Sequence, residues 1–358
     1  MKAGLTIEEL AAEIMRQKEA KSDYVVNTGS LRMEPCGTDL VLRVLDENAA
    51  DRIEPLDISE QAHRQIGTHL SIPAKYYNRM LTEYPELLAQ NVNAWFERTA
   101  APRMLRVLDG SMRAFVSNRY LRIDHHEVSC AAMPVVGEMP DIHFVSCQIT
   151  DSRMYIKLVN PHMQEEIAPG ITVQSGLVIS NSEVGLGSVS VQPLIYYPEF
   201  DAGMIVRTSS TKRVHSGPIY SVEENFDIPP EQSYLQDGSP FLEQIRNTVR
   251  SAVDEQMFEQ TAARIREARE ARFNADNVLG VVHATGHEFG VMENEQDGVL
   301  EQLAADNDLS LYGLANAVTR HSQSIESYDR ATALEAIGYD ILSMPSATWN
   351  RINQAAAA

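Results

Sequence analysis

The turn Asp109-Gly110, set between two stretches that alternate with period two, constrains this chain more than any other feature. Before it, Met104, Arg106 and Leu108 alternate with Leu105 and Val107; after it, Met112 to Val116 continue the pattern. Asp and Gly tolerate the positive φ that a two-residue hairpin turn demands, so the segment reads as an antiparallel hairpin. Its charge is also unusual. Between Arg103 and Tyr120 stand four arginines (Arg103, Arg106, Arg113 and Arg119) against Asp109 alone, with Phe115 and Tyr120 among them, in a chain of net charge −20. Within one hairpin, Arg106 and Arg113 can face the same side as cross-strand neighbours, and like charges placed so are unfavourable. An anion must neutralise them, either an acid of this chain or an external partner.

The remaining periodicities build an α+β protein around a central antiparallel sheet. Thr6 and Glu9 form a capping-box pattern ahead of a helix that runs through Met15. Strands follow at Asp23 to Val26 and Asp39 to Leu45. Ser59 then caps a helix ending before Ile72-Pro73, and two further helices start at Pro73 and Pro85. Phe144 to Ile149 with Met154 to Val159 makes a second hairpin. Thr172 to Ser180 with Gly187 to Leu194 makes a third, and Met204 to Thr208 adds a strand. Beyond Pro229-Pro230 the pattern is helical, with one long amphipathic helix expected from Phe241 to Arg272. The organisation expected is an N-terminal helical and β cap over 1–100, a central sheet domain over 101–225 and an acidic helical region over 226–358.

Composition excludes several classes. The chain has 358 residues, 44% hydrophobic and 22% charged, which is ordinary for a soluble protein. It offers no run of eighteen apolar residues and no signal-peptide pattern, so a cytoplasmic protein without a membrane span is expected. Cys36, Cys130 and Cys147 lack zinc spacing and read as reduced, buried thiols. The acidic balance disfavours indiscriminate coating of nucleic acid, yet charge is unevenly spread. Six Arg and one Asp lie between Arg98 and Arg122, whereas Phe273 to Thr319 holds eight acids and no Lys or Arg.

Several stretches carry a family likeness in order: Gln61-Ala-His-Arg-Gln-Ile, Ile72-Pro-Ala-Lys-Tyr-Tyr77, Leu105 to Tyr120, Ile179-Ser-Asn-Ser-Glu-Val-Gly185 and Tyr312 to Arg320. Together they resemble the phage and plasmid proteins of the domain of unknown function 932 family over roughly residues 55–340. Members usually carry a Cys-Thr-Asn-Gly turn after the third hairpin; this chain reads Phe200-Asp-Ala-Gly203 there. The resemblance implies a mobile-element origin. By analogy, a basic sheet flanked by helices is similar to the single-strand annealing proteins of phage recombination systems, which act as oligomers without a cofactor.

On that reading Arg103, Arg106, Arg113, Arg119, Lys212 and Arg213 contact phosphates, and Phe115 and Tyr120 stack on bases of single-stranded DNA. It predicts that glutamate at Arg106 and Arg113 abolishes binding and leaves the fold intact. The opposing reading pairs these arginines with internal acids, Glu183 among them, and puts the aromatics in the core. A rival function is a non-enzymatic protein of a mobile element that binds a host factor through its acidic surface. His283 and His287, four apart near Glu288, Glu293 and Glu295, are the nearest approach to a metal site, but not in a zinc-protease order. No phosphate loop or nucleophile elbow is present, so neither catalytic residues nor a cofactor are expected. A homo-oligomer is expected.

Overall fold

The structure is a computed structural model that describes residues 1–45, 53–187, 189–207, 212–214, 240–252 and 254–356. Its first part contains α1 (Ile7–Ala20), β1 (Lys21–Asn27), β2 (Leu31–Cys36), β3 (Asp39–Val44), β4 (Leu56–Ile58), α2 (Glu60–His69), α3 (Ala74–Glu83), α4 (Pro85–Arg98), β5 (Pro102–Leu108) and β6 (Ser111–Ser117). These strands form a six-stranded sheet in the order β1-β5-β6-β4-β3-β2, antiparallel except where β4 meets β6. Asp109 and Gly110 take φ of 51° and 78°, as the hairpin requires. The Thr6/Glu9 capping box forms, and Ser59 caps α2 by accepting from the Ala62 amide. Helices α2 to α4 cover one sheet face: Ile66, Tyr77, Met80, Leu88, Val92 and Phe96 pack on Leu42, Leu105, Val107 and Phe115. The arginine hairpin therefore belongs to a sheet with the N-terminal strands, which the division at residue 100 would cut.

The second part begins with α5 (His125–Gly137) and continues through β7 (His143–Ile149), β8 (Met154–Ala168), β9 (Ile171–Asn181), β10 (Val189–Tyr197), β11 (Ala202–Ile205) and β12 (Lys212–Val214). Sheet order is β11-β10-β9-β8-β7, with β12 also on β10, and every pairing is antiparallel. Helices α6 (Pro240–Ala252), α7 (Glu255–Glu270), α8 (Val278–Phe289), α9 (Glu293–Asp306), α10 (Leu311–His321), α11 (Tyr328–Leu342) and α12 (Ser346–Ala356) follow. The long helix expected from Phe241 to Arg272 is divided, because Asp254 turns extended and its side chain caps α7 through the Met257 amide. Two of the three thiols also depart from expectation: Cys36 and Cys130 are exposed, and only Cys147 is buried.

Alternation along β8 explains why this sheet is buried on both faces. Met154, Ile156 and Leu158 point to α1, α5 and α6, where Leu10, Ile14, Val128, Ala132, Ile245 and Val249 meet them. Tyr155, Lys157 and Val159 point the other way, toward Tyr328 and Ala336 of α11. Lys157 is wholly buried there, and its ammonium donates to Glu335 Oε2 at 2.6 Å and Thr332 Oγ1 at 3.0 Å. The far end of the sheet, with Val173, Ile195, Tyr197 and Met204, is packed by α7 to α12.

An uncompensated buried charge costs more than the pair contributes, so the order of effects at this pair is predictable. Glu335→Leu alone is expected to destabilise the chain by about 3–5 kcal/mol, and adding Lys157→Met to recover most of that loss. Urea unfolding of the single and double variants checks it; equal loss in both would refute this account of the pair.

Candidate functional site

Arg106 is the most informative of the sequence-predicted residues, because it has no exposed surface at all. It stands directly across from Asp23 in the β1–β5 ladder. Its Nε and Nη2 donate to the two Asp23 oxygens at 3.0 and 3.1 Å, a side-on bidentate pair. Nη2 also donates to Asp124 Oδ1 at 2.6 Å, and Nη1 to the Glu183 carbonyl at 2.9 Å. Three separate segments thus converge on one guanidinium: strand β1, the N-cap of α5, and the turn leaving β9. Lys21 pairs with the other Asp124 oxygen, and Arg122 with Asp23 at 3.2 Å.

Arg113 reaches the same cluster through an irregularity of the hairpin. Val107 pairs with Met112 and Arg106 with Ala114, so Arg113 is the extra residue of a β-bulge. Its guanidinium donates to Glu183 Oε2 at 2.6 Å, and the other carboxylate oxygen accepts from the His125 amide at 2.7 Å. The two like charges of the hairpin are therefore neutralised from within. Glu183, 3% exposed, sits in a segment where Asn181, Ser182 and Val184 are also buried.

The outer edge of β6 completes the junction. Strand β4 is only three residues long and its pairing with β6 ends at Met112, so the edge beyond has no strand partner among the described residues. Helix α2 supplies one instead. Ser59 Oγ donates to the Arg113 carbonyl at 3.0 Å, and Gln65 Oε1 accepts from the Phe115 amide at 2.7 Å. The Gln65 amide then donates to the Val184 carbonyl at 2.8 Å, tying the two sheets through one side chain. Gly185, at φ 78°, lies against Gln65, Val116 and Tyr120, where the left-handed backbone favours glycine.

Titration follows from this burial. For Glu183, burial pushes the carboxyl up, but His125, Arg106 and Arg113 together outweigh it and hold it well below the usual carboxylate range. Burial pushes His125 down to about 4, so at neutral pH the imidazole is uncharged and the cations of Arg106, Arg113 and Lys21 hold the Glu183 carboxylate against its burial. Its Nδ1 lies 3.0 Å from the Asn181 amide nitrogen, which donates to it. Asp124 is also lowered: burial works against its charge, and Arg106 and Lys21 prevail. A carboxylate held this low and paired on both oxygens is no general base. The cluster is an ionic clasp between two sheets.

The other predicted residues divide in position. Phe115 is 3% exposed and stacked on Phe96 at 5.9 Å, so it is core and presents no ring to a base. Arg106, wholly buried, likewise offers nothing to a phosphate; both assignments to nucleic acid are corrected by their burial. Arg113 is nearly covered, at 14% exposure. Arg103 is half-buried and lies 2.6 Å from His69 Nδ1, which accepts from it. Tyr120 is half-buried, its hydroxyl donating to the Ser182 carbonyl at 3.3 Å. Arg119 is exposed and makes no ion pair among the described residues. Lys212 and Arg213 lie on β12, whose backbone pairs with Val191 and Ser190. His283 and His287 are exposed on α8, and among the described residues no three His, Cys, Asp or Glu side chains gather as a metal would need.

Sequence reasoning missed Asp23, Asp124, Gln65 and Asn181. Only Asp124 left a local trace, the capping-box spacing to Glu127. Comparison with known protein families, with curated proteins and with solved structures finds no match. No helix among the described residues is long and apolar enough to cross a membrane.

Two outcomes follow. Arg106→Glu is expected to prevent folding rather than abolish binding on an intact fold, since it would set a fourth carboxylate beside Asp23, Asp124 and Glu183; circular dichroism of the purified variant checks this. Stability should also fall as pH drops from about 6.5 to about 4, because the unfolded chain takes up a proton that His125 in the fold refuses. That histidine alone contributes a loss on the order of 3 kcal/mol across the window. The depressed Glu183 adds a further loss only below the ordinary carboxylate range, where the unfolded side chain protonates first. Urea unfolding between pH 7.5 and 4.5 measures the slope. His125→Gln should reduce it without removing it, because burial pushes His63 down to about 4 as well.

Proposed function

We propose that this chain is a non-catalytic DNA-metabolism protein of a phage or plasmid, acting in the host cytoplasm as a homo-oligomer that binds single-stranded DNA. The contact surface is the rim of the clasp, not the sheet face that the hairpin arginines line. One observation carries the reading: the exposed turn Gly185-Leu186-Gly187 is met by the guanidinium of Arg153, which the clasp does not consume. Tyr120 lies against Gly185, next in sequence to the exposed Arg119. On the other side the Arg153 guanidinium donates to the Leu186 carbonyl. The strand bearing Lys212 and Arg213 pairs with Val189 to Val191, immediately after that turn. A guanidinium at an exposed backbone turn, with the exposed Arg119 next to Tyr120 beside it, suits phosphate contacts, which supply affinity and salt dependence without sequence choice.

A second reading is favoured by a different surface. On α9 the exposed Glu293, Asp297 and Glu301 recur every four residues, forming one acidic stripe in a segment without Lys or Arg. There the chain would bind a basic host factor and no DNA.

Fluorescence anisotropy with labelled single- and double-stranded DNA over a salt series, with sizing of the same sample, separates the two. Tight, salt-sensitive binding to single strands is expected. Arg119→Glu with Arg153→Glu should weaken it at least about tenfold and flatten the log–log salt slope by about 1.4, at unchanged melting temperature. Absence of binding at low salt would overturn the DNA reading and leave the acidic stripe as the contact surface.

A further inference from the structure

His283 and His287 stand four residues apart on α8, and both are exposed. The opposite face of the helix is buried through Val281, Val282, Thr285 and Gly286. Gly286 fixes which way this turn faces. A Cβ there would overlap the side-chain nitrogen that Gln296 of α9 donates to the Val291 carbonyl, so glycine lets the two helices approach closely. Helical geometry also holds beyond the pair: Gly290 closes α8 in the left-handed conformation at φ 75°, its N–H donating to the Gly286 carbonyl at 2.8 Å. Side chains four apart on an intact helix share one face, with Cβ atoms about 5–6 Å apart. Two imidazoles so placed can reach one ion.

Neither ring is committed elsewhere. Among the described residues His283 and His287 make no hydrogen bond, ion pair or ring contact, whereas His63, His125 and His162 are each held by a partner. Glu288, the acid next to the pair, is taken by Arg351 at 2.9 Å. The surroundings favour a cation. From Phe273 to Thr319 the chain carries eight acids and no Lys or Arg, and the exposed Glu293, Asp297 and Glu301 lie on α9, packed beside α8. The two arginines that reach this end of α8, Arg330 and Arg351, are paired with Glu295 and Glu288. His287 also lies in the last turn of the helix, where the macrodipole presents its negative end.

Ligand chemistry selects the ion. Imidazole nitrogen suits late first-row divalent metals, whereas magnesium and calcium demand oxygen. A closed structural zinc site takes four protein ligands and a catalytic one three. Two nitrogens on one helix face make an open chelate instead, spanning adjacent positions of a tetragonal ion with water in the rest. We propose that His283 and His287 form a surface chelate for a divalent late transition-metal ion, copper(II) most tightly and nickel and zinc more weakly. The acids of α9 do not ligate it; they raise the local cation concentration. The site is independent of DNA binding.

Calorimetric titration of the full chain with copper(II), nickel(II), zinc, magnesium and calcium salts tests the site, with electron paramagnetic resonance of the copper complex to read its ligands. Copper should bind most tightly, nickel and zinc less so, and magnesium and calcium should not compete. His283→Ala and His287→Ala should each weaken copper and nickel at least about tenfold, because losing one ring destroys the chelate. Each should also reduce the nitrogen coupling in the copper spectrum. Both side chains are exposed, so the melting temperature without metal should not change. The control His162→Ala, at an exposed histidine outside α8, should leave the affinity as it was. The proposal is overturned if both α8 variants bind copper and nickel like the parent chain. It is equally overturned if magnesium or calcium displaces the ion at comparable concentration, which would assign it to the acids of α9.

Discussion

The burial of Arg106 sets the terms for the whole molecule. A guanidinium cannot shed its charge, so removing it from water demands anions at close range. Its two carboxylates come from β1 and from the start of α5, and a backbone carbonyl from the turn after β9 completes the set, so the partners are distant in sequence and belong to both sheets. The two sheets must therefore be seated together before the hairpin can be satisfied. Glu183 makes the requirement mutual, because its carboxylate is equally buried and depends on Arg113 and on the backbone of α5.

Lys157 and Glu335 repeat the principle on the opposite face of the second sheet. Each ion pair is costly to desolvate, and packed apolar side chains would stabilise the same positions as well or better. What the pairs provide is a penalty for wrong seating. A one-residue slip of β8 would turn Lys157 toward α5 and leave Glu335 uncompensated on α11. The sheet is apolar on both faces and has little else to distinguish them, so these polar contacts fix which helices lie on which side.

Most secondary elements were legible because their signals are local. The Asp109-Gly110 turn, the Thr6 and Ser59 caps and the alternation of β8 and β9 all act within a few residues. The exceptions have physical causes. The helix from Phe241 was read as continuous since its apolar stripe persists, whereas the Asp254 cap breaks it. The hairpin of β5 and β6 was assigned to a central sheet because neighbouring hairpins adjoin it in sequence. Its true partners, β1 and β4, are chosen by long-range pairing that no local pattern records.

The candidate site divides in the same way. The sequence by itself determined that a hairpin carrying Arg106 and Arg113 needs an anion, because like charges on paired strands repel, but not the bulge that takes Arg113 out of register with Arg106. It left open whether that anion was Glu183, in a turn between apolar strands, or an external partner. Only the tertiary structure decided that Glu183 answers that need, with Asp23 and Asp124 added, and so moved Arg106 and Phe115 from an expected binding face into the interior. Which buried polar atoms would find partners was invisible for the same reason. Whether a polar group is satisfied depends on what lies within about 3 Å of it, and folding, not order along the chain, sets that distance.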